Sequence, residues 1–297
     1  MSALARAFSA LWLTGAIILS GAAAAETAQP PPTDARPIAV IYSDKGPSGW
    51  SDLPAGAYRV PDTSVIISGH QKGGVLGVMF GALGVLAQSA ANSEAGKGSV
   101  SDTQDVLRID VVGDASEITH EALRSEKYSS TFTSAADTGG PTLSVTPYVA
   151  ITFESDTQVR PFIVLKATLK SGRSGDASRS TRYFCCVGQP LPLTGEGSVT
   201  ANGGQLLKDL LKHELERAVR VMLDDTANPY PRDEHKLINV EANYPFVRPR
   251  MKLRGYELWE DDNTVVVALK ASSLVVFSGV QIMDKSAITY EQAAGGK

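Results

Sequence analysis

Four histidines, His70, His120, His213 and His235, are the residues best suited to acid–base or metal chemistry, and their dispersal commits them to neither. His120-Glu121 and His213-Glu214 begin as a zinc-hydrolase helix would, yet no second His follows at the four-residue spacing that puts two imidazoles on one helical face. Gly46-Pro47-Ser48-Gly49 and Gly172-Arg173-Ser174-Gly175 lack the Gly-x-Ser-x-Gly elbow that exposes a nucleophilic serine. Gly96-Lys97 is followed by Gly98, where a phosphate loop needs a metal-binding hydroxyl. Asp224-Asp225 and Glu260-Asp261-Asp262 are carboxylate groupings of the kind general acid–base catalysis uses, but they fall at an expected helix end and an expected turn, where solvated acids are ordinary. The two cysteines, Cys185 and Cys186, are neighbours on an expected strand, so their side chains point to opposite faces and predict two separate small buried groups in preference to a redox pair. These residues predict no catalytic set, metal site or cofactor, and leave open a hydrolase site gathered in three dimensions from scattered groups such as His213 and the acids.

Two other patterns predict contact. Arg248, Arg250, Lys252 and Arg254 alternate with Pro249, Met251 and Leu253, so an extended segment projects all four cations from one face, with Tyr256 and Trp259 following. Such a row suits an anionic envelope surface or an acidic protein face. The competing expectation, drawn from Pro245 and Pro249, is an edge strand whose charges guard against aggregation.

Between Lys72 and Glu94 no charge occurs, and Gly73, Gly77 and Gly81 recur every fourth residue, with Gly84 nearby. On a helix these glycines make one groove-like face for packing or membrane contact, with Leu76, Met79, Phe80 and Leu83 supplying bulk elsewhere. Each glycine costs a helix about 0.5 to 1 kcal/mol relative to alanine, so the run predicts close backbone approach, within the protein or at a membrane, with a Gly-rich loop as the remaining alternative. This stretch resembles the glycine zippers of some bacterial outer-membrane proteins; the resemblance covers residues 73–93 alone, and no function is carried over from it.

The elements that must position these residues follow from periodicity. Pro37–Tyr42 and Thr63–Ser68 read as short strands, and Ser116–Lys127 as a short helix with Ser116 at its N-cap. Leu143, Val145, Val149, Ile151 and Phe153 share one face of a strand; Ile163, Leu165, Ala167 and Leu169 share a face of the next; Thr181–Val187 makes a third. Leu207, Leu210, Leu211, Leu215, Ala218 and Met222 define a long amphipathic helix from about Gly204 to Leu223. The tail holds Met251–Leu258, Thr264–Lys270 and Leu274–Met283. The fold expected is α+β: an antiparallel sheet of three or more strands covered by that helix, a C-terminal antiparallel β meander and the glycine-spaced apolar helix. The pattern leaves open whether the meander extends the first sheet or stands apart.

Residues 1–25 combine Arg6, an apolar run from Leu11 to Leu19 and Ala23-Ala24-Ala25 before Glu26, the layout of a cleavable export signal. A proline-rich tether at 26–37 follows, then an N-terminal region at 38–99, an α+β region at 100–233 and the meander at 234–297. Net charge is −4 over 297 residues, which excludes a nucleic-acid partner because phosphate binding needs a basic field. Two adjacent cysteines and no Asn-x-Ser/Thr sequon fit bacterial export and stability from packing. The expectation is an exported, periplasmic or outer-membrane-associated, non-enzymatic protein whose partners are envelope proteins or an anionic envelope surface, with membrane association and self-association as further possibilities. The alternatives are a periplasmic hydrolase and a soluble periplasmic ligand-binding module.

Overall fold

The computed structural model describes residues 36–43, 57–60, 62–68, 106–135, 139–155, 157–172, 177–193, 195–270 and 276–293. The leader and the Gly73, Gly77, Gly81, Gly84 segment lie outside the described residues.

The element order is β1 (Ile38–Tyr42), β2 (Tyr58–Arg59), β3 (Val65–Ser68), α1 (Val111–Ala122), α2 (Glu126–Ser129), β4 (Phe132–Thr133), β5 (Thr142–Phe153), β6 (Gln158–Lys170), β7 (Arg179–Cys186) and β8 (Leu191–Pro192). Then come α3 (Gln205–Ala227), β9 (Leu237–Ala242), β10 (Met251–Glu260), β11 (Thr264–Leu269), β12 (Val280–Asp284) and β13 (Thr289–Gln292). The α+β class stands, but the layout differs from the one expected. The strands form one sheet with the path β13-β9-β10-β11-β12-β7-β6-β5-β1-β4, and β3 and β8 add to β5 and β6. The sheet is mixed: β1 and β3 run parallel to β5, and β12 runs parallel to β7. The C-terminal meander β9 to β12 therefore extends the first sheet, docked by the parallel β7–β12 ladder.

The long hairpin β5–β6 is the centre, and its composition explains why. Leu143, Val145, Val149, Ile151 and Phe153 do share one buried face, and so do Ile163, Leu165 and Ala167. Tyr148, Ala150, Phe162 and Val164 on the opposite face are buried too. A strand covered on both sides must be apolar in both phases, which is why the β-branched run is nearly continuous. Each of the two strands nevertheless carries a proline. Pro147 lies where β1 has stopped pairing at Val145 and β3 starts at Val149, and Pro161 lies between the last β7 pair at Phe162 and the β8 pair at Val159. Neighbouring ladder bonds on those sides, Ser43 N–H to Val145 O at 2.9 Å and Val187 N–H to Pro161 O at 3.1 Å, place both prolines where no partner strand asks for a donor.

Helices α1 and α3 cover the first face. The first helix starts earlier than Ser116–Lys127 predicts: the carboxylate of Asp110 accepts from the Gly113 N–H at 2.9 Å, a cap that fixes the start before Ser116 is reached. Ser125 then stands at the N-cap of the separate single turn α2. α3 begins from Gly204 at φ 77°, where a Cβ would lie 2.6 Å from Val106 Cγ1, so only glycine fits. The second core joins β5–β7 to β9, β11 and β12, with Tyr244 and Phe246 between them, so the sheet curls and its two halves share one apolar layer.

Candidate functional site

The carboxyl ends of the parallel pair β7 and β12, the β10–β11 turn and the middle of α3 enclose an open cleft of about 720 Å³. Its walls are His213, Glu214 and Arg217 from α3, Asp261 to Thr264 from the turn, and Asp284 from the end of β12. Crevices at the carboxyl ends of parallel strands are common ligand positions, because chain direction changes there.

Arg217 organises the cleft. Its Nη1 donates to Glu214 Oε2 at 2.7 Å, and its Nη2 donates to Thr264 Oγ1 at 3.2 Å and pairs with Asp284 Oδ1 at 2.8 Å. Glu214 is 5% exposed and also accepts from the Cys185 thiol at 2.9 Å. Burial raises the Glu214 pKa, against the opposing pull of the Cys185 and Arg217 contacts. Burial, and then the Glu214 charge, push the Cys185 thiol well above the ordinary range, which keeps it protonated and unreactive. Backbone N–H groups of Asn263 and Thr264 hold Asp261 as a carboxylate and lower its pKa. Gly188 lets the end of β7 approach, since a Cβ there would fall 2.6 Å from Asp284 Oδ2. The guanidinium is thus bonded to Glu214, Thr264 and Asp284, and the buried Cys185 thiol behind Glu214 is held protonated.

Cys186, on the other face of β7, donates instead to the Val187 carbonyl at 3.3 Å. Burial pushes its thiol up to about 12, and Arg160 stands beside it. Arg160 pairs with Glu154 and donates to the carbonyls of Val187 at 3.1 Å and Gly188 at 2.5 Å, tying the β5–β6 turn to the end of β7. Both cysteines are free. The two acid–arginine couples are residues that composition and motif reading missed. One signal was present: Glu214 lies three residues from Leu211 and four from Ala218, inside the apolar stripe of α3, where a carboxylate must find a partner.

The other candidates disperse. His70 is outside the described residues, His120 and His235 are exposed on α1 and a short turn, and His213 sits at the cleft rim. Asp224 takes the Tyr128 hydroxyl at 2.9 Å and Lys127 at 2.6 Å. Asp225, buried, takes the Tyr183 hydroxyl at 2.6 Å and the Tyr230 N–H at 3.1 Å, which are structural bonds. Glu260 holds Lys285 at 2.8 Å. Among the described residues no three His, Cys, Asp or Glu side chains gather as a metal site, and no helix is long and apolar enough to cross a membrane.

Arg248, Arg250, Lys252 and Arg254 are all exposed and Met251 and Leu253 turn toward the second core, but only Lys252 and Arg254 lie on β10, while Arg248 and Arg250 fall in the bend before it, so the extended segment expected over 248–254 starts at Met251. The strand is not an edge strand, however: β10 pairs with β9 on one side and β11 on the other, and β13 lies outside β9. Arg248 Nε donates to Glu154 O at 2.9 Å, Arg250 donates to Ala287 O at 3.1 Å and Glu241 O at 2.9 Å, and Lys252 pairs with Glu291 at 2.6 Å. Beside them Lys270 pairs with Glu234 at 3.0 Å and lies over the Tyr256 ring. Five cations here stand against the carboxylates of Glu234, Glu241 and Glu291. No protein-family model matches the chain, and a search of curated proteins finds no match.

Proposed function

We propose that the chain is an exported envelope protein of non-enzymatic type that binds or assembles with other envelope components. The observation carrying this reading is the exposed row Arg248, Arg250, Lys252 and Arg254, the first two in the bend leading into β10 and the last two on it, in a chain whose net charge is −4. A local cluster of exposed cations attracts an anionic surface, and salt weakens the attraction. The glycine-spaced stretch at 73–93 adds a second contact element to the proposal, and the leader at 1–25 supplies the route to the envelope. Arg217, Glu214 and Cys185 bond to one another and tie α3 to β7, which supports a structural role for these three.

The test is co-sedimentation of the purified chain with phosphatidylglycerol-containing vesicles. Binding at low ionic strength that is lost near 0.5 M salt, roughly where screening is complete within a few Å, supports the reading. A chain that ignores such vesicles, or that binds equally well after Lys252→Glu and Arg254→Glu, argues against it. Fractionation and N-terminal sequencing of the mature protein test the compartment: a chain starting at Glu26 in the envelope is expected, and intact Met1 in the cytosol overturns it.

One observation favours the hydrolase reading. The cleft holds Glu214, a buried acid with raised pKa, next to His213. Turnover of an ester, amide or glycoside that disappears with Glu214→Gln is the result that would promote it.

A further inference from the structure

Part of the row of cations is already answered from within the chain, and Lys252 is answered by the outermost strand of the sheet. β13 is the outermost strand, four residues long, and it pairs with β9 alone. In register, Thr289 stands opposite Glu241, which stands opposite Lys252; Glu291 stands opposite Asn239, which stands opposite Arg254. Glu291 reaches diagonally across β9 to Lys252, Oε1 to Nζ 2.6 Å, and the turn just before β13 offers the Ala287 carbonyl to Arg250 at 3.1 Å. The Lys252 contact is the first cause of the lowered Glu291 pKa, so the carboxylate is charged wherever an anionic surface would be met. Both side chains are more than half exposed, at 54% and 61%. The pair is therefore of the weak, exchangeable kind, and another anion can displace it.

We infer that β13 is an autoinhibitory strap: Glu291 acts as a built-in anion that competes with the phosphodiester headgroups of a lipid surface for Lys252 and its neighbours. This rests on the reading of the row as an anionic-surface contact. The strap weakens binding to surfaces of low charge density and yields to dense ones, because a single carboxylate is outnumbered there. It is held by little besides its ladder to β9, the bond from the Tyr290 hydroxyl to Glu260 at 2.9 Å and the packing of Ile288 and Tyr290 on the second core.

The experiment measures partition of the purified chain onto phosphatidylcholine vesicles carrying phosphatidylglycerol, at low ionic strength, for the wild type, Glu291→Gln, Glu291→Gln with Lys252→Gln, and Glu121→Gln. Glu121 is exposed on α1 and controls for net charge. Glu291→Gln is expected to raise the partition coefficient about five-fold, the equivalent of one cation at an anionic surface. Adding Lys252→Gln removes the gain, and Glu121→Gln gives none. Equal gains from Glu291→Gln and Glu121→Gln, or no gain from either while the wild type binds, overturn the strap and leave the row standing. No binding by any variant overturns the row and the strap with it.

Discussion

Replacing Arg217 by Met keeps most of the aliphatic stem and removes the charge that Glu214 and Asp284 share. Taking one partner out of a buried ion pair costs about 3 to 5 kcal/mol, because the carboxylate left behind cannot recover its hydration. Glu214, at 5% exposure, suffers most of this, whereas Asp284, with 27% of its side chain exposed in an open cleft, rehydrates. A loss of about 3 kcal/mol near pH 7 is therefore expected, equivalent to a fall in Tm of roughly 6 to 12 °C for a chain of this size. The loss also depends on pH. Burial already raises the folded pKa of Glu214, so its stabilising contribution is full below the unfolded value and is lost as pH rises through the folded one. Removing the neighbouring cation raises that folded pKa further, so the variant should lose less near pH 5 than near pH 7. Urea unfolding of both proteins at the two pH values measures this, with Glu214→Gln as the companion: an uncharged acceptor should cost less than about 1.5 kcal/mol and abolish the pH dependence of the Arg217 change. A loss below about 1 kcal/mol, or the same loss at both pH values, would refute the view that Arg217 neutralises a buried acid.

Gly188→Ala should push the Asp284 carboxylate away from Arg217 and cost about 1 kcal/mol in urea unfolding, since the added Cβ meets the mobile end of a side chain and not backbone. Tyr183→Phe should cost about 1 to 3 kcal/mol by leaving Asp225 short of a buried donor; a neutral result in thermal unfolding would contradict the assignment. Cys185 should resist iodoacetamide near pH 8 in the folded chain and react on unfolding, a contrast that mass spectrometry of the alkylated peptide reads directly. Rapid native labelling would mean that the thiol is neither buried nor protonated.

Strand positions and faces were legible in the sequence because a pleat of period two writes itself into the residues at 143–153 and 163–169. The stripe from Leu207 to Met222 likewise announced α3, and the alternation at 248–254 correctly put its cations outside. Three things were hidden for a common reason: they depend on which distant strands meet. The outer neighbour of β10 is set by β9 and then by the short β13, so Pro245 and Pro249 suggested an edge that the returning chain had covered. The parallel β7–β12 pairing joins Tyr183 to Val280, and no local pattern encodes it. The cleft inherits this invisibility, because Glu214, Thr264 and Asp284 become neighbours only after that pairing forms. Ser116 misled for a different reason: a good N-cap residue lost to Asp110, whose cap lies before the first buried position, Val111.

The three-pair ladder of Val280, Gln281 and Ile282 on Tyr183, Phe184 and Cys185 also has a consequence during synthesis. Until Val280 to Ile282 have been made and are free to pair, β7 presents Tyr183 to Cys185 as an unpaired edge with its backbone donors and acceptors on offer, the condition under which partly folded chains stick to one another. Truncation before Val280 is therefore expected to yield aggregates in place of a smaller folded unit.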